Sequence, residues 1–189
     1  MSDADLNNLR NYEAKGYLYN VRQLFLLSCL TGLRYSDYSR IKSEHLKKDH
    51  EGNPLIHIRQ EKTGEFVDIP LTSEANEITS QLLSKEIHPI TNQKMNLYVK
   101  ELCRQVGINE PFEVNKYKGK AKTTHTFPKF QLITTHTGRR TFATNLLLKG
   151  VPAEVVMQFT GHKDYRSFSK YVNIPKVSQM ALVRKALVG

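Results

Sequence analysis

The apolar positions of this 189-residue chain follow two rhythms. From Tyr17 to Leu30 nearly every turn carries leucine, valine or phenylalanine, the pattern of a helix buried on most sides, and Thr31-Gly32 breaks it. Ser36 is placed to cap a short helix reaching about Ile41. Leu55 to Gln60 and Phe66 to Leu71 alternate instead, with β-branched residues. The five residues between them, Glu61-Lys62-Thr63-Gly64-Glu65, predict a hairpin with Lys62 close to its tip.

Helical spacing returns from Thr72 or Ser73, either of which can cap, to about Leu83, and again from Asn92 to Val106. From Thr137 to Lys149, Phe142, Leu146 and Leu147 share one side, and Gly150 is the stop. Pro152 opens a helix to about Phe159, and Ser167 to Tyr171 predicts a short one. After Pro175, the residues Val177, Met180, Val183 and Leu187 fall on one face of a final helix. Asn115 to Phe130 keeps no helical period and reads as a loop or irregular hairpin. Residues 1–16 are polar and read as a frayed helix or the end of a linker. The sum is a mainly α domain with a small antiparallel β-sheet (α+β), without internal repeats.

Size and composition change this picture little. The length suits one domain with a real core. The longest apolar run, Leu24 to Leu33, is broken by Ser28, Thr31 and Gly32 and falls far below the ~20 residues of a membrane span. Met1-Ser2-Asp3-Ala4-Asp5 carries no basic or apolar leader, so a cytoplasmic protein without membrane contact is expected. Cys29 and Cys103 sit in helical apolar patterns and read as buried, reduced thiols. The histidines form no His-x-x-x-His pair, and His45, His50, His57, His88 and His125 are scattered, so no metal site is expected.

Charge changes it more. The net charge of +10 and a pI near 9.6 point to a polyanionic partner, most often nucleic acid. Lys116, Lys118, Lys120 and Lys122 alternate, so a strand there would present four ammoniums on one side to track phosphates. Lys129 follows, with no acidic residue between, and Arg140 is a further candidate contact. The ordinary explanation is a sheet edge guarded by lysine.

The candidate chemistry lies in four polar residues of the last third: His136, Arg139, His162 and Tyr171. Cleaving a phosphodiester requires stabilising charge on nonbridging oxygens, a nucleophile, and a proton for the leaving alkoxide. Arginine suits the first task, because its planar fork binds two oxygens and stays charged. Arg139 stands three residues after His136, so both can share one side of a helix start. Arg34, just past the Gly32 break, can clamp the same phosphate from a distant segment. A phenol with a pKa of ~10 needs activation before it attacks. Lys62 at a hairpin tip can donate the proton. Singly these are ordinary: a surface arginine, a solvated lysine, a core-edge tyrosine. Asp37 fits better as a partner that orients Arg34 or caps the short helix, and the spacing of Tyr165 from His162 disfavours it as the nucleophile.

As an ordered set they resemble the tyrosine recombinases of the phage-integrase type. Thr31-Gly32-Leu33-Arg34-Tyr35-Ser36-Asp37 resembles the first arginine box. Lys62-Thr63-Gly64 followed by Val67-Asp68-Ile69-Pro70-Leu71 resembles the lysine hairpin. His136-Thr137-Gly138-Arg139 resembles the His-x-x-Arg box, and Gly161-His162 with Tyr171 nine residues on resembles the last two elements. The style of the boxes is most like integrases of conjugative transposons.

The resemblance implies the catalytic-domain fold of DNA breaking-rejoining enzymes over residues 17–175. Tyr171 would attack the scissile phosphate to form a 3′-phosphotyrosyl link. Arg34, Arg139 and His162 would hold the phosphate, His136 would assist proton transfer, and Lys62 would act as general acid. No metal, ATP or other cofactor is implied. The expected partner is double-stranded DNA, with a homotetramer assembled on it through residues 176–189 docked on a neighbouring protomer. An N-terminal DNA-clamp domain, usual in such proteins, has no counterpart before residue 17. Two rivals stay open: a type IB topoisomerase-like activity that reseals the same strand, and a non-catalytic DNA-binding relative.

Overall fold

The computed structural model describes residues 1–119 and 121–172 and positions 179, 180, 183, 184 and 187, with the side chains of residues 116–118, 121, 170 and 171 outside the description. The polar start of the chain is not frayed. Helix α1 (Asp3–Asn11) begins with a reciprocal cap in which Ser2 Oγ accepts from Asp5 N (3.1 Å) and Asp5 Oδ2 accepts from Ser2 N (2.7 Å). Its Leu6 and Leu9 enter the main core, and Asp5, also buried, accepts from Lys129 Nζ at 2.6 Å. The two apolar residues that anchor α1 lie three apart, too few for a strong periodic signal.

Helix α2 (Tyr17–Thr31) is the central post, buried along most of its length as its all-round apolar pattern requires. Around it pack α4 (Ser73–Leu83), α5 (Asn92–Gln105) and α7 (Thr135–Leu148). Thr72 Oγ1 caps α4 by accepting from Ala75 N (3.2 Å), a bond worth about 1 kcal/mol. Ser36 does not cap its short helix. Helix α3 (Tyr35–Tyr38) takes Arg34 at its cap position, with Ser36 inside the turn.

The hairpin expected around Lys62 is present, and a strand not foreseen widens it. Strands β1 (Leu46–Lys48), β2 (Pro54–Arg59) and β3 (Phe66–Pro70) form an antiparallel sheet in that order. Ile56, Ile58, Val67 and Ile69 face the core, while His57 and Asp68 pair on the outer face at 2.5 Å. The segment after α5 is a regular ribbon of β4 (Pro111–Lys118) and β5 (Ala121–Pro128). Its register overturns the single row of lysines. Lys116 stands opposite Thr123, Lys118 opposite Ala121, and Lys122 opposite Tyr117. Even positions on β4 pair with odd ones on β5, so Lys122 belongs to the face opposite that of Lys116 and Lys118. Lys120 lies outside the described residues. Lys129, at the start of α6 (Lys129–Leu132), is held by Asp5 and lies 3.7 Å from Glu110.

A second, smaller core gathers Ala143 of α7, Val156 of α8 (Ala153–Thr160) and Phe168 of α9 (Tyr165–Tyr171), with Leu146, Leu147, Val151 and Met157 around them. It seats the last two boxes on the main domain. Of the expected final helix, Met180, Val183 and Leu187 are helical and exposed, and Val177 lies outside the described residues. Among the described residues no helix is long and apolar enough to cross a membrane. Cys29 and Cys103 are free and buried, which pushes both thiols up to about 12.

Candidate active site

Helix α2 ends at Gly32, and its carbonyl oxygen accepts from Arg139 Nη1 of α7 at 2.6 Å. Only 1% of Arg139 is exposed, so the core itself aims this guanidinium. Two residues past Gly32, Arg34 at the start of α3 donates from Nη1 to Gln60 Oε1 at 2.6 Å. The two arginines from distant segments therefore meet at one helix end.

Gln60 is 1% exposed and continues the inward positions of β2 after Ile56 and Ile58. Its Oε1 also accepts from Thr63 Oγ1 at 3.1 Å, and its backbone bonds to Glu65 and Gly64 close the turn that carries Lys62. Asp37, fully buried, accepts from Glu61 N at 2.9 Å, while its other oxygen lies 3.9 Å from Arg34 Nη1. Asp37 thus serves the hairpin turn more closely than it serves Arg34, and it does not cap α3. Lys62 is exposed at that turn.

His136 is the second residue of α7. The helix start is fixed by Thr135, which donates from N to Asn96 Oδ1 (2.9 Å) and from Oγ1 to Asn92 Oδ1 (3.2 Å). Loss of water around the imidazole, and then the cations of Arg139, Arg34, Lys62 and Arg140, lower its pKa.

His162 follows Gly161, which ends α8 in the left-handed conformation at φ +57°. A Cβ at Gly161 would stand 2.2 Å from Gln60 Oε1, so the backbone favours glycine and any larger residue would have to displace the Gln60 carboxamide. His162 Nδ1 lies 2.7 Å from Thr160 Oγ1, and its ring meets Phe168 edge-on at 5.3 Å. Burial, followed by Arg139 and Arg34, drives its pKa down to about 4, with Lys62 adding to the effect and Asp164 opposing it. At the helix α9 start, Asp164 Oδ1 accepts from Ser167 N at 2.8 Å. Tyr171 is the last residue of α9, and its side chain lies outside the described residues. Tyr165 opens the same helix and is 60% exposed.

Five sequence-chosen residues, Arg34, Lys62, His136, Arg139 and His162, therefore share one electrostatic neighbourhood, since both imidazoles respond to the same three cations. Three fixed positive charges beside two neutral imidazoles can stabilise charge on a pentacovalent phosphoryl group and move protons. Arg140 is exposed, acts on His136, and lines a cleft of about 540 Å³ with Phe112, Leu132 and Thr144. Gln60 and Thr160 were not singled out from the sequence. Both left a signal there: a glutamine at an inward position of an alternating strand, and a threonine one turn after Val156 on a buried helix face.

The chain matches the model of the Phage integrase family over residues 5–176. It is 27% identical to tyrosine recombinase XerD of Staphylococcus aureus over 183 residues, covering 91% of this chain and 54% of XerD. It spans about half the length of the curated relatives it matches. Its fold is that of the XerA recombinase crystal structure, with a TM-score of 0.68 at 15% identity, over 98% of this chain and 64% of XerA. The Tn1549 transposon integrase in complex with transposon right-end DNA aligns with a TM-score of 0.62 at 15% identity, over 98% of this chain and 65% of that one.

Proposed function

The chain belongs to the phage integrase family, and on that footing we propose that it is the catalytic domain of a site-specific DNA recombinase serving a mobile genetic element. The observation that carries the reading is the convergence of Arg34, Arg139, Lys62, His136 and His162 on one neighbourhood. The same small core that supports His162 also seats the helix ending in Tyr171.

In this reading Tyr171 Oη bonds to the scissile phosphorus and the bond to the 5′ oxygen breaks. The products are a 3′-phosphotyrosyl link and a 5′-hydroxyl. Arg34 and Arg139 offset the charge on the nonbridging oxygens. His136 assists proton transfer, His162 contacts the phosphate, and Lys62 protonates the leaving oxygen. The new ester conserves the energy of the broken one, so a second strand's 5′-hydroxyl reverses the step at another site without ATP.

Double-stranded DNA is the partner favoured by the net charge of +10 and by likeness to the DNA-bound Tn1549 integrase. We place its action on nucleoid DNA in a bacterial cytoplasm. Four copies assemble there, each docking the exposed Met180, Val183 and Leu187 on a neighbour. A nicked suicide substrate tests the chemistry. Wild type is expected to leave a protein–DNA adduct that survives denaturation, and Tyr171→Phe none. Adducts formed by that variant would move the nucleophile elsewhere. Relaxation of supercoiled plasmid without two-site exchange would favour a topoisomerase.

A further inference from the structure

We infer that Thr160 is a positioning residue that fixes His162 as its Nδ1–H tautomer, so that the imidazole meets the phosphate site with its lone pair on Nε2. The assignment follows from counting protons. Thr160 is fully buried, and its Oγ1 lies 2.8 Å from Val156 O and 2.7 Å from His162 Nδ1. Each contact is short enough to need a proton between its atoms. The hydroxyl supplies one, a carbonyl oxygen none, and the ring nitrogen the other. Were the hydroxyl to donate to Nδ1 instead, two oxygens would face each other at 2.8 Å with no proton between them. The hydroxyl therefore donates to Val156 O and accepts from Nδ1–H.

The surroundings support a neutral ring. Burial disfavours its charged form most, Arg139, Arg34 and Lys62 add to this as cations, and Asp164 opposes them. Phe168 packs edge-on against the ring and limits its rotation away from Thr160.

The consequence for catalysis rests on the function proposed above. A lone pair on Nε2 cannot donate to a phosphate oxygen, but it can accept a proton. As Tyr171 Oη bonds to phosphorus, the phenolic proton passes with the assistance of His136 to His162 Nε2. As the P–O5′ bond breaks, the leaving oxygen takes a proton from the Lys62 ammonium. The imidazolium so formed then donates from Nε2 to a nonbridging oxygen, where negative charge has grown.

Long-range nitrogen–proton correlation NMR at neutral pH, with His162 assigned by its loss in His162→Gln, reads the tautomer directly. Wild type is expected to show a pyridine-like Nε2 and a protonated Nδ1. A protonated Nε2 beside a bare Nδ1 would overturn the assignment. Thr160→Val is expected to move the ring towards the Nε2–H form and to slow adduct formation roughly tenfold. Thr160→Ser is expected to restore both. A Thr160→Val spectrum identical to wild type would sink the positioning role. Adducts formed by Tyr171→Phe would overturn only the proton route, because the wild-type spectrum does not depend on it.

Discussion

Arg34 and Gln60 act as one unit: the guanidinium donates from Nη1 to the carboxamide oxygen over 2.6 Å, and the glutamine is 99% shielded from water. Since Gln60 also closes the Lys62 turn and touches Gly161, a single uncharged side chain joins three parts of the site.

Removing that side chain should therefore act through Arg34. A hydrogen bond to a charged group is worth about 1.5–3 kcal/mol, so Gln60→Ala should slow adduct formation roughly ten- to hundredfold. Gln60→Glu, which keeps an acceptor oxygen in place, should lose less. Single-turnover cleavage of a nicked substrate checks this. A methylphosphonate at the scissile position, which lacks the charge Arg34 offsets, should shrink the alanine penalty. An equal penalty on both substrates would mean that Gln60 acts elsewhere.

Gly161 offers a matched comparison with Gly150. Both have positive φ, but nothing lies within 4 Å of a Cβ at Gly150. Gly150→Ala should cost about 1 kcal/mol in stability and leave the cleavage rate alone. Gly161→Ala should cost more and also slow cleavage, since the methyl displaces Gln60. Chemical denaturation and adduct assays on the two variants read both quantities.

Stability should fall in mild acid. The folded state lowers the pKa of His162 from 6.5 to about 4 and lowers His136 and His45 in the same direction. Between those values the unfolded chain binds protons that the folded one refuses, so stability is fully present above about 6.5 and is lost as pH falls towards 4. Urea midpoints measured across this window should drop, and His162→Gln should flatten the slope. An unchanged slope in that variant would remove His162 as a source.

Lys129 and Lys122 should behave differently despite their shared stretch of sequence. Lys129→Ala leaves the buried Asp5 carboxylate without its ammonium and should cost about 1–3 kcal/mol. Lys122→Ala, on the exposed ribbon, should change stability by less than about 0.5 kcal/mol. If the ribbon tracks phosphates, Lys122→Ala should also lower the salt dependence of DNA binding by about one charge.

The helices around Phe142, Leu82 and Leu102 were legible because their apolar residues recur every three or four positions against a polar face. The boxes that resemble the family were legible because they are local: each residue is recognised by its immediate neighbours. What spacing could not give is contact across the fold. The role of Asp37 depends on Glu61, 24 residues away, and α1 is held by Lys129, 124 residues from Asp5. The ribbon lysines misled for a related reason, since alternation sorts faces along one strand only and the turn inverted the parity.

Arg139 shows where the cost of the proposed chemistry would be met. A guanidinium 1% exposed was stripped of most of its water when the chain folded, so an arriving phosphate need not wait for that water to leave. The expense appears instead as lost stability. Arg139→Met, apolar and comparable in volume, should melt at a higher temperature than wild type while forming no adduct. On the proposed function, the protein is in this sense less stable than its fold permits, and the deficit serves the rate of cleavage.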